Sequence, residues 1–218
     1  MYLDYTNYDF SYLKEKGGVG FLDSWEFDNH NSYAMNIYKG ALKRLDIYEN
    51  LKKESLESFC ALILPMSVDQ IYLFRHKELL FDFLDKGGVI FNFAASICEY
   101  LPNLALYQQS PTPIRLREVK PSSHPIFKGV NAYNMNHRRG VKGFFNRGFL
   151  TPPKDAEILF SDSDDKCVGY IDRHSSKGVI LSTAGADLFG YGSFEADTTR
   201  RMGLNCLLWL ENLLQKKA

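Results

Sequence analysis

The stretch FCALILPMSVDQIYLFRHKELLFDFLDKGGVIFNF, residues 59–93, decides the fold. Phe59 to Met66 is apolar on both faces, as a strand covered by helices on each side must be, and Pro65 ends it. Ser67 and Gln70 then stand at capping-box spacing and predict the start of a helix. Ile71, Phe74, Leu79, Phe81 and Leu84 give that helix a mostly buried stripe, and Gly87–Gly88 give it a stop. Val89 to Phe93 follows at once as a second buried strand. Strand, helix and strand with short connections form a βαβ unit, whose two strands are parallel and whose crossover is right-handed.

Outward from this unit the same pattern continues. GVGFLDS (18–24) is a short apolar run ending in Asp and Ser, residues 31–44 have helical character, and LDIY (45–48) predicts a short second strand. In the second half, PIRLREV (113–119) reads as a strand and SSHPIFKGV (122–130) as a turn-rich connection. AEILFSD (156–162) and CVGYIDRH (167–174) alternate as strands joined by the acidic turn SDSDDK, and GVILSTAGADLF (178–189) is another core strand running into a loop. The closing helix, about 195–215, places Met202, Cys206, Trp209 and Leu213 on one face, widened by Leu204, Leu207, Leu210 and Leu214. So wide an apolar surface predicts deep burial or a homo-oligomer formed through this helix. No internal repeat or linker interrupts the chain, so one α/β domain over residues 1–218 is expected. It should be a three-layer sandwich with a mainly parallel sheet.

Composition narrows the partners. Lys and Arg total 26 and so do Asp and Glu, so bulk charge gives no pull toward nucleic acid or an anionic membrane. Cys60, Cys98, Cys167 and Cys206 have no CxxC or metal-ligand rhythm, which predicts reduced thiols, no metal site and a cytoplasmic protein. The opening MYLDYTNYDF lacks the basic and apolar regions of a secretory signal, and no run has the length of a membrane span. No cofactor motif is present.

Four segments carry a family resemblance: CALILP, LLFDFLDKGGVIFNF, HPIFKG and KGVILSTAGADLFG…NCLLWLENLL. In this order they resemble the class I glutamine amidotransferase-like superfamily, nearest to its trehalose-utilisation (ThuA-like) branch. The resemblance spans about two thirds of the chain and implies a flavodoxin-like sandwich. Active amidotransferases of the class carry a Cys at the turn after the elbow strand, with a His and a Glu after a late strand. Here the elbow position falls at Phe93–Ala95 without a Cys, and the late loop STAGADLFGYG has no His-x-Glu. The His-x-Glu that does occur, His76-Lys77-Glu78, sits inside the predicted helix. Glutamine hydrolysis by the family's mechanism is therefore not expected.

Several residues remain as candidates for chemistry. Ser96 could replace the missing nucleophile, or could cap a helix starting at Ile97, with Cys98 packed beside it. The loop LDSWEFDNH (22–30) follows the first strand, where doubly wound folds hold ligands. Asp23, Glu26, Asp28 and His30 offer acid or base groups there, Trp25 a stacking surface, and Asp187 could face them across the sheet edge. NMNHRRGVKGFFNRGF (134–149) carries Arg138, Arg139, Lys142 and Arg147 with no acidic residue, which suits an anionic ligand or partner. His124 and Pro125 read as a turn with Gly129 at positive φ, and SDSDD as a solvated hairpin rather than a calcium loop. Two classes of function stay open. One is a degenerate domain that binds a small ligand or a protein. The other is a hydrolase or transferase acting on a small molecule or sugar through Glu26, His30, Asp187 and Ser96.

Overall fold

The computed structural model describes residues 8–27, 29–138, 141–142, 147–190 and 197–216, with the backbone alone at residues 30 and 31. The apolar runs form eight strands: β1 (Val19–Asp23), β2 (Leu42–Asp46), β3 (Ala61–Leu64), β4 (Val89–Asn92), β5 (Val119–Pro121), β6 (Glu157–Asp162), β7 (Cys167–Asp172) and β8 (Val179–Thr183). They make one sheet in the order β2-β1-β3-β4-β8-β7-β6-β5. The first five positions are parallel, and β7, β6 and β5 extend the sheet in antiparallel fashion. Both outer strands are poor templates for further pairing: β2 exposes Lys43 and Arg44, and the three-residue β5 ends in Pro121.

Why the central runs are apolar on both faces is now plain. Phe21, Ile63, Phe91 and Leu181 point into one core, while Leu22, Leu62, Ile90 and Ile180 point into a second core on the opposite face. The first core is covered by α1 (Ser11–Glu15), by α7 (Ala132–Asn136) and by the closing helix α8 (Arg201–Gln215). The second is covered by α3 (Ile47–Asn50), α4 (Lys53–Glu57), α5 (Gln70–Arg75) and α6 (Lys77–Asp85). A further short helix, α2 (Asn29–Tyr33), follows β1. The three layers and the mainly parallel sheet are those expected from the sequence. Leu208, Trp209, Leu213 and Leu214 pack against the first core, so the wide apolar surface of α8 is used within the chain. No helix among the described residues is long and apolar enough to cross a membrane.

Four local expectations need correction. The helix after β3 is capped by Asp69, whose carboxylate accepts the Tyr72 N–H at 2.9 Å, and not by Ser67, whose hydroxyl is committed to Asn29 at 3.0 Å. That helix also breaks at His76, whose Nδ1 lies 2.9 Å from the Tyr72 carbonyl oxygen and whose ring stacks on Tyr72. The second strand runs over Leu42–Asp46, earlier than 45–48 and overlapping the end of the segment expected to be helical, because Asp46 turns the chain by capping α3. Residues 114–116 form a 3-10 turn in place of a strand. Arg117 gathers that segment by donating to the carbonyls of Ser110 and Thr112, so pairing begins only at Val119.

The fourth correction concerns the turn after β4. No helix follows Ser96; residues 93–107 are irregular. The Gln70 side chain replaces the helix by accepting the Ile97 N–H at 2.8 Å and donating to the Ala95 carbonyl at 3.1 Å. Ser96 therefore caps nothing, and no helix dipole is aimed at its hydroxyl.

Candidate functional site

In a parallel sheet the loops at the carboxyl ends of the strands converge, and here they bring three groups of polar side chains to one edge. The first group lies where β1 and β2 end. Asp23 and Asp46 are partners in register, so two buried carboxylates stand side by side. Arg44 answers both, with Nε 2.5 Å from Asp23 and a second nitrogen 3.5 Å from Asp46. The other Asp23 oxygen accepts the Asn29 side-chain amide at 2.7 Å and the Trp25 N–H at 3.1 Å. That bond helps hold Trp25 at φ 66°, a conformation uncommon for a bulky residue, and the Arg44 guanidinium lies 4.5 Å from its ring centre. Ser67 links Asn29 to the loop after β3, and Ser24 donates to the Ser67 carbonyl at 3.1 Å. The crevice between β1 and β3 is thus bridged by direct hydrogen bonds.

The second group seals the turn after β4. Asn92 donates to Ser96 Oγ and to Ser182 Oγ, both at 3.0 Å, and accepts from the Tyr100 hydroxyl at 2.9 Å. Ser96 and Tyr100 also share a hydrogen bond of 3.0 Å. All four side chains are buried, and burial pushes the Tyr100 hydroxyl well above its ordinary range. Phe93, next in the chain, is fully buried against Phe91 and Phe189. Cys98 lies half-buried with its thiol pushed up by burial, 3.5 Å from the Gln70 carbonyl. A thiol raised in this way is a poor nucleophile at neutral pH.

The third group surrounds Asp187 in the loop after β8. One carboxylate oxygen accepts the N–H groups of Phe189 and Gly190 at 2.8 and 2.9 Å. Burial pushes the carboxyl up, and these two bonds offset part of that rise. A methyl group at Gly190 would fall 2.5 Å from the other Asp187 oxygen and 2.8 Å from the Ser32 hydroxyl. Asp187 therefore faces α2, the helix that follows the β1 loop.

The candidates thus divide. Asp23 and Trp25 share the β1 corner, Ser96 is locked in the β4 corner, and Asp187 meets α2. Among the described residues Ser96 hydrogen-bonds to neither Asp23 nor Asp187. Glu26 is exposed; Asp28, Arg139 and the His30 side chain lie outside the described residues. Arg138 pairs with Val141 in a short two-stranded ribbon, and Lys142 of that ribbon pairs with Glu118 at 2.7 Å beside the start of β5, at the same end of the sheet but four strands along from β4. His124 caps the turn at Pro125 through Nδ1, and burial lowers its pKa. No group of three or more metal-ligating side chains occurs among the described residues. Sequence reasoning missed Asn29, Arg44, Gln70, Asn92 and Tyr100. The one available signal was Asn92, a lone amide inside the apolar run VIFNF.

No family model and no curated protein matches the chain. Solved structures do. A protein from Bacteroides uniformis described as ThuA-like is similar over 88% of this chain and 90% of its own, with TM-score 0.51 and 16% identity. The cytoplasmic protein STM3548 from Salmonella typhimurium is similar over 88% of this chain and 98% of its own, with TM-score 0.57 and 9% identity. A second Salmonella cytoplasmic protein, STM1381, gives TM-score 0.55 over the same shares, again at 9% identity. What they share with this chain is the fold.

Proposed function

We propose that this chain is a ThuA-like domain without glutaminase chemistry that works by binding a small ligand or a protein at the carboxyl edge of its parallel strands. One observation carries the proposal. Where an amidotransferase of this fold would hold its nucleophile, Phe93 is packed into the core and Ser96 is tied to Asn92 and Tyr100. The fold shared with the Bacteroides ThuA-like protein supports the branch, and the two Salmonella neighbours and four free cysteines support a cytoplasmic setting. Purified protein incubated with glutamine should release no ammonia above a blank, and a diazoketone analogue of glutamine should leave its mass unchanged. Ammonia release that disappears in Ser96→Ala or Cys98→Ala would contradict the proposal.

A second reading, acid–base chemistry on a small molecule or sugar, draws on the raised carboxyl of Asp187 beside Ser32. The same incubation with nitrophenyl esters and glycosides probes it. Turnover that is lost in Asp187→Asn, which can still accept the two backbone N–H bonds, would favour this second reading.

A further inference from the structure

The charges of this chain balance overall but not locally. The segments after β1, β2, β3 and β4 (residues 24–27, 47–52, 65–70 and 93–100) carry Glu26, Glu49, Asp69 and Glu99 against a single cation, Lys52. Glu26, Glu49 and Glu99 are exposed. The Arg44 guanidinium, which reaches this edge from β2, is flanked by Asp23 and Asp46. The part of the carboxyl edge formed by β1 to β4 is therefore a negative surface on a chain of zero net charge.

The same loops, with the first turn of α5, display apolar side chains. Phe27 is 90% exposed, Trp25 66% and Ile97 65%, with Met66 and Ile71 about half exposed. Isolated exposed apolar residues are ordinary, but a group of them rimmed by charge marks a contact surface. Their loops are fastened to one another. Ser24 bonds to Ser67, Gln70 to both Ala95 and Ile97, and the Tyr48 hydroxyl to Asp69 at 3.0 Å. The surface is preformed, which lowers the ordering cost of binding.

We infer that this edge docks a basic segment of another protein, one that brings apolar side chains onto Trp25, Phe27, Met66, Ile71 and Ile97 and Lys or Arg beside Glu26 and Glu99. Charge complementarity selects the occupant, since an acidic segment would meet carboxylates on all four loops. The inference rests on the binding function proposed above and names its partner. The Arg138 ribbon, expected from sequence to take an anion, lies beside β5, four strands along the sheet from β4.

The probe is a synthetic amphipathic peptide of Leu and Lys, compared with its Leu and Glu counterpart by calorimetric titration. The Lys peptide should bind, more weakly as salt rises, and the Glu peptide should not. The Glu26→Lys/Glu99→Lys variant should lose roughly tenfold or more in affinity, as should Trp25→Ser/Ile97→Ser. Ile114→Ser/Leu116→Ser, which alters exposed apolar residues on the loop before β5, should bind as the parent does. Equal binding of both peptides, or undiminished binding by the edge variants, would overturn the inference. So would a dimer of the free chain that Trp25→Ser/Ile97→Ser disperses, because a second copy would then own the edge. Ammonia release from glutamine would remove the non-glutaminase proposal without touching the peptide result. Failure of the peptides with no ammonia released would remove only this inference.

Discussion

Gly178→Ala should cost about 3 kcal/mol or more of folding stability, read as a shift of the urea midpoint, because the new methyl has nowhere to go. It would lie 2.3 Å from the Gly88 carbonyl oxygen and 2.9 Å from that of Leu84. Both contacts are to backbone, so no side-chain rotation relieves them. Relief requires β8 to move away from β4 and gives up the bond from the Val179 N–H to the Gly88 carbonyl, 3.0 Å long. That junction joins two strands at the middle of the sheet. Gly88 is constrained too, since a methyl there would lie 2.7 Å from the Phe83 carbonyl oxygen as well as 2.3 Å from its ring. A Gly178→Ala chain of undiminished stability would show that β4 and β8 do not start so close together.

The second large effect is expected at Asn92. Asn92→Ala removes one partner each from Ser96, Ser182 and Tyr100, all of them buried. Unpaired buried polar groups are costly, and about 2–4 kcal/mol of stability should be lost. The damage should spread beyond the site. Ser182 is on β8, and the Tyr170 hydroxyl of β7 accepts the Ala105 N–H at 3.2 Å, so the irregular segment 93–107 is tied to two strands. Faster proteolysis within that segment is the accompanying sign. Stability and proteolysis unchanged from the parent would mean that the network contributes nothing.

How far the sequence reaches is clearest from these same residues. The strands β3, β4 and β8 were legible because burial on both faces leaves an unbroken apolar run, and the glycines before β4 and β8 mark where backbones approach. The cap at Asp69 was misplaced because Ser67 and Asp69 are both acceptable N-caps, and a partner far along the chain, Asn29, claims the serine. The missing helix after Ser96 has the same cause. Its replacement is a hydrogen bond from the Ile97 N–H to Gln70, which lies 27 positions earlier, and no local periodicity records such a contact. At the candidate site, sequence position identified the loops after β1, β4 and β8 but not what each side chain does there. Asp23 is held by Arg44 from the neighbouring strand, and Ser96 by Asn92 and Tyr100. Those pairings exist only once the sheet is assembled.

The central claim is that the turn after β4 is a closed polar corner that contributes to stability. A double-mutant cycle on Ser96→Ala and Tyr100→Phe tests it most directly, using unfolding free energies of the parent, the two single variants and the double variant. The two hydroxyls lie 3.0 Å apart in a buried site, so a coupling of about 0.5 kcal/mol or more is expected. Strict additivity, with Ser96→Ala leaving stability unchanged, would contradict the claim and return Ser96 to the list of groups free for chemistry.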